Sequence, residues 1–127
     1  MVSRLVAGPD LAPDIFRQRL LVEGYFSKPV DEEVIRDFLL AVADHLGLRT
    51  YGEPIVFAPE IGMGAEENAG YDAFVPLIDS GISAYFWTGP KFLSIVFYTC
   101  KGFEADAAVN FTREYFAMSG EIATHAF

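Results

Sequence analysis

Residues 17–26, RQRLLVEGYF, form a short apolar and aromatic run that stops at Ser27-Lys28-Pro29, a turn signal, and this predicts a strand. Beyond it Val34, Phe38, Val42 and Leu46 recur every four residues with Ile35 and Leu39 beside them, the spacing of one buried helix face over 30–48. Asp31 is placed to cap that helix, Glu32 and Glu33 suit the positive end of its dipole, and Gly47 suits a left-handed stop. Residues 52–60 read as a second strand, with Pro54 and Pro59 keeping its paired part short or at a sheet edge. The glycines and acids of 61–70 mark a flexible loop, since the Gly-Met-Gly within it lacks the strand-to-helix setting of a phosphate loop. A third strand over 71–78 runs into a strongly apolar hairpin, and 103–116 returns to helical spacing through Ala107, Ala108, Phe111 and Tyr115. The order is β-α-β-β-β-α, and the final EIATHAF fits either a closing strand or a frayed tail.

The hairpin, residues 77–100, carries the candidate chemistry. Gly89-Pro90-Lys91 is its natural turn, and a three-residue loop centred on 90 pairs residue i with residue 180 − i. Ser80 then lies opposite Cys100, with Cβ atoms about 4.5–5.5 Å apart, so hydroxyl and thiol address one small pocket. In that register Ile82, Ala84, Phe86, Val96 and Tyr98 share one face, and Tyr85, Trp87, Leu93, Ile95 and Phe97 the other. Two apolar faces predict a strand pair covered on both sides, by helices on one and by a partner subunit on the other.

Composition narrows the function classes. A chain of 127 residues without repeats or a linker suits one domain, 1–127. An apolar fraction of 52%, with twelve Phe and six Tyr, is high for a monomer of this size and predicts self-association. The net charge of −9 and the absence of any Lys/Arg-rich stretch argue against nucleic acid and anionic membrane surfaces. The first residues lack the apolar core of a signal peptide and no stretch reaches the length of a membrane span, so a cytoplasmic protein is expected. One cysteine and two histidines offer no spaced zinc-ligand set, and no metal is expected.

Asp79-Ser80 and Thr99-Cys100, twenty positions apart from serine to cysteine, resemble the S-adenosylmethionine decarboxylase family in its small bacterial and archaeal, pyruvoyl-dependent form. Trp87, the DAFV of 72–75, Glu23-Gly24 and the REYF of 113–116 extend the resemblance over about residues 18–116. It implies a two-layer α/β sandwich, two helices covering one face of a mainly antiparallel sheet, as a homodimer. It also implies self-cleavage between Asp79 and Ser80, by attack of the Ser80 hydroxyl on the Asp79 carbonyl and β-elimination of the resulting ester. The product is a pyruvoyl group at position 80, with Gly81 giving the turn room. The pyruvoyl group does the work of pyridoxal phosphate, so no added cofactor is needed. Cys100 returns a proton to the substrate carbon, and Glu23 faces the positive sulfonium of S-adenosylmethionine or positions a related amino acid.

Several positions depart from the family pattern. Tyr85 stands where the family has its processing histidine, Gly81 replaces a second histidine, and Trp87-Thr88-Gly89 replaces Trp-Pro-Glu. A phenol of pKa about 10 is a weak base at neutral pH. Strict alternation also sets Tyr85 on the opposite face from Ser80, and neither His45 in the helix nor His125 in the tail has a route to the site. Two classes stay open: a pyruvoyl-dependent decarboxylase of S-adenosylmethionine in polyamine synthesis, or of a related amino acid, and an unprocessed relative acting as a structural or regulatory homo-oligomer.

Overall fold

The computed structural model describes residues 8–58 and 69–127; most of the loop at 61–70 and the end of the 52–60 segment lie outside the described residues. The chain runs β1 (Gln18–Tyr25), α1 (Glu32–His45), β2 (Ile55–Phe57), β3 (Gly70–Leu77), β4 (Ser80–Trp87), β5 (Phe92–Thr99), α2 (Ala105–Tyr115) and β6 (Ala123–Ala126). Four strands, not three, separate the helices, because the 71–78 stretch and both arms of the hairpin are each complete strands. The six form one sheet of order β2-β3-β4-β5-β1-β6 in which every pairing is antiparallel. The second strand is short and at an edge, as its prolines require, and the last segment closes the other edge against β1.

Both helices begin and end for local reasons. The Asp31 carboxylate accepts from the Val34 N–H at 2.8 Å, which satisfies one free donor of the first turn of α1. Gly47, at φ 71°, reverses the chain, and the Leu48 N–H donates to the Ala43 carbonyl at 2.8 Å in a Schellman closure. In α2 the buried Thr112 hydroxyl bonds back to the Ala108 carbonyl at 2.8 Å. Ile35, Phe38, Leu39 and Val42 are fully buried in one core with Val22, Val75, Ile82, Ile95 and Phe97 of the sheet. Phe116 joins the layers, its ring 4.6 Å from that of Phe38 and 5.3 Å from that of Phe86. This is the expected two-layer α/β sandwich, and its core lies between the helices and one sheet face.

The hairpin register differs from the expected one. Trp87 pairs with Phe92 around a four-residue loop, 88–91, so partners sum to 179 and Ser80 opposes Thr99 instead of Cys100. Packing explains the shift: it gathers Ile82, Ala84 and Phe86 with Phe97, Ile95 and Leu93 on the helix-covered face, all buried. A sum of 180 would have set Phe86 opposite Ser94. Because the side-chain period is two, that one-residue slip moves the whole of β5 to the other face. Val96 and Tyr98 therefore join Tyr85 and Trp87 on the second face, where Tyr25, Phe74, Tyr85 and Tyr98 remain exposed.

Candidate active site

Ile78 and Asp79 are the two-residue turn between β3 and β4, with Leu77 paired to Ser80 across it. The neighbouring chain clamps this turn from two sides. On one, the reversal at Gly47 returns residues 49–51 alongside the end of β3, where Thr50 bridges to Leu77. There the Ile78 N–H donates to the Arg49 carbonyl at 2.9 Å, and the Arg49 guanidinium donates to Asp79 Oδ1 at 3.3 Å. On the other side the Cys100 N–H donates to the Asp79 carbonyl oxygen at 2.8 Å. Lys101 ties the two clamps together by donating from Nζ to the Gly47 carbonyl at 3.0 Å.

Two features of the turn are costly. Ser80 has φ 124°, a left-handed value that non-glycine residues rarely adopt, at a cost of about 1–3 kcal/mol. Asp79 is only 6% exposed, and its Oδ2 is buried without a hydrogen-bond partner among the described residues. An unsatisfied buried carboxylate oxygen is uncommon in a folded protein and calls for a reason. Both costs fall on the two residues that flank one peptide bond. The carbonyl of that bond faces a backbone N–H at a distance suited to stabilising negative charge on its oxygen.

The sequence-predicted residues separate into two groups. Asp79, Ser80 and Cys100 converge at the turn, although Cys100 is brought there by its backbone N–H and its thiol is exposed. Glu23 and Tyr85 lie elsewhere, both paired to Ser94 in one row across β1, β5 and β4 on the open face. Tyr85 lies five positions along the strand from Ser80, roughly 17 Å at about 3.4 Å per residue. Gly81 has an ordinary φ, and the positive value sits on Ser80 itself. Gly81 instead makes room for a ring, because a Cβ there would stand 2.5 Å from Phe74. His45 packs 4.8 Å from the Phe111 ring and His125 stacks on Phe127, so neither supports the turn.

Arg49 and Lys101 escaped the sequence reading, which named Thr99 only beside Cys100 in the motif and gave it no role. Thr99 is fully buried opposite Ser80, its hydroxyl donating to the Lys101 carbonyl at 2.7 Å. The motif held a signal for Thr99, but its place opposite Ser80 is set by the register that gathers Ile82, Ala84 and Phe86 with Leu93, Ile95 and Phe97 on one face. Arg49 carried none, because its approach depends on how the helix cap folds back. Among the described residues no group of His, Cys, Asp or Glu is arranged to hold a metal ion.

A six-stranded antiparallel sheet layered with two helices, and a strained serine in a clamped turn at its end, defines a two-layer α/β protein with a candidate self-processing site. The sequence model of the S-adenosylmethionine decarboxylase family matches residues 18–126, and the chain belongs to that family. Its fold is similar to the crystal structure of the adenosylmethionine decarboxylase from Aquifex aeolicus, with a TM-score of 0.65 and 16% identity over 89% of each chain. No curated protein sequence matches this one.

Proposed function

We propose that the protein is a pyruvoyl-dependent decarboxylase that cuts itself between Asp79 and Ser80 and acts on S-adenosylmethionine in the cytoplasm. The observation that carries this reading is the clamped turn. Ser80 is held at φ 124° directly after a carbonyl that accepts a 2.8 Å hydrogen bond from Cys100 N–H. Attack of the Ser80 hydroxyl on that carbonyl relieves the backbone of its constraint and places the developing negative charge on an oxygen already facing a donor. The pyruvoyl group left at position 80 supplies the electron sink for loss of carbon dioxide. Cys100, exposed beside the cut, supplies a proton to the substrate carbon. Glu23 offers a carboxylate to a cationic substrate.

The open sheet face completes the reading. Phe57 is 63% exposed and Tyr25 58%, and with Phe74, Tyr85 and Tyr98 they form an aromatic surface suited to a second copy of the chain. Glu23 and Tyr85 lie far along the sheet from Ser80 of their own chain, so a face-to-face homodimer is the arrangement in which they serve a cleavage site, that of the partner. The intact mass of the purified protein tests the proposal. Two fragments meeting at Asp79/Ser80 support it; one uncut chain of 127 residues would leave a non-catalytic homo-oligomer as the function.

A further inference from the structure

Self-cleavage needs a group to carry a proton. In the acyl shift the Ser80 Oγ–H and the Asp79–Ser80 C–N bonds break, the Oγ–C ester bond forms, and the proton ends on the Ser80 nitrogen. In the elimination the Ser80 Cα proton leaves, Cβ–Oγ breaks with the Asp79 α-carboxylate departing, and water hydrolyses the enamine product to the pyruvoyl group and ammonia. Tyr85 is far from Ser80 in its own chain, and His45 and His125 are occupied against aromatic rings.

Resting on the self-cleavage reading, we infer that the Asp79 side chain is itself the proton carrier of the acyl shift, taking the Ser80 Oγ proton on Oδ2 and delivering it to the Ser80 nitrogen. Four observations converge on it. Oδ2 is buried and unpartnered, whereas Oδ1 is held by Arg49 at 3.3 Å, so one oxygen is anchored and the other is free to accept. The carboxylate belongs to the residue whose carbonyl is attacked, a few bonds from both Ser80 Oγ and Ser80 N, so the proton moves within one dipeptide. The side chain is 9% exposed, which keeps bulk water from competing for the proton. The fourth is the use of the Asp79 carbonyl by Cys100 N–H, which fixes the peptide plane relative to the carboxylate. Arg49 acts through Asp79 and is a positioning residue: its main chain holds Ile78 while its side chain, 64% exposed, holds the carboxylate through the guanidinium.

The test compares cleavage in wild type, Asp79→Asn, Asp79→Glu, Arg49→Ala and Arg49→Lys, followed by intact mass after expression, with thermal unfolding checked for each. Uncut Asp79→Asn is then treated with hydroxylamine, which splits an ester at position 80 but leaves an amide whole. The expected result is a loss of 10²-fold or more for Asp79→Asn, the range for a lost acid–base group, with a chain that hydroxylamine does not cut. Asp79→Glu retains measurable cleavage, and Arg49→Lys recovers most of what Arg49→Ala loses, a rescue that a purely structural role for the guanidinium would not give. If Asp79→Asn cleaves within threefold of wild type, or accumulates hydroxylamine-sensitive ester, the inference fails while self-cleavage stands. If wild type is never cut, the self-cleavage reading fails first and the proton carrier with it.

Discussion

The two ends of β4 carry two turns built by opposite rules. At 88–91 the chain reverses through Thr-Gly-Pro-Lys, residues that are mostly exposed and suited to turns, and the positive φ falls on Lys91 at 60°, within the ordinary left-handed region. At 78–79 it reverses through Ile-Asp into Ser80, a tight turn that buries a carboxylate oxygen and puts φ 124° on a serine. The first turn is joined to the rest of the protein at both ends, at its start through the Thr88 N–H and hydroxyl to the Ala69 carbonyl and at its end by the Phe26 N–H donating to the Lys91 carbonyl. The second is held by the main chains of Arg49 and Cys100, an ion pair and the Lys101 tether. Main-chain bonds hold both turns; the second alone adds an ion pair to a buried carboxylate and a strained serine. Local cost sustained by surrounding structure is the mark of a site at which the backbone itself reacts.

Substitutions matched across the two turns break or sharpen that contrast. The largest expected effect is on cleavage: Ser80→Ala leaves the chain whole by intact mass, while Pro90→Ala is cut as completely as wild type. Cleavage of Ser80→Ala at the same bond would remove Ser80 from the chemistry. Next come the glycines, compared in the uncut Ser80→Ala background by urea unfolding. Gly81→Ala drives a methyl toward the Phe74 ring, 2.5 Å away, and costs about 1–3 kcal/mol, which Phe74→Ala relieves in part. Gly89→Ala meets nothing within 4 Å and stays within about 0.5 kcal/mol. Relief of backbone constraint is smaller: Ser80→Gly exceeds Ser80→Ala in stability by about 1–2 kcal/mol, and Lys91→Gly changes stability by less than about 1 kcal/mol. Equal gains at both positions would mean that the turn at Ser80 is no more constrained than the distal one. The smallest effect expected at the clamped turn is from Lys101→Met, which loses one hydrogen bond between the clamps and about 0.5–1 kcal/mol in the same unfolding assay.

The elements and their faces were legible because they depend on neighbours in sequence. The four-residue recurrence of Val34, Phe38 and Val42 describes α1, and Asp31 and Gly47 mark its ends where the hydrogen bonds place them. Asp79-Ser80 and Thr99-Cys100 were legible as a spacing, which the turn and the end of β5 do bring together. How they meet was not. A turn loop of three or four residues is nearly neutral locally, and the choice between them is made by which register buries Phe97, Ile95 and Leu93 under α1 and α2. That choice puts Thr99, not Cys100, opposite Ser80.

Of the site, then, the residue types and the bond in question were set by the sequence alone: an acid, a serine and a cysteine at fixed spacing, with no histidine beside them. Tertiary structure decided the rest. It brought the Cys100 N–H to the Asp79 carbonyl, folded Arg49 back from the cap of α1 onto the carboxylate, and left Oδ2 buried without a partner. These contacts join segments about twenty and thirty residues from the turn, and their geometry exists only once the helices have packed on the sheet and selected its register.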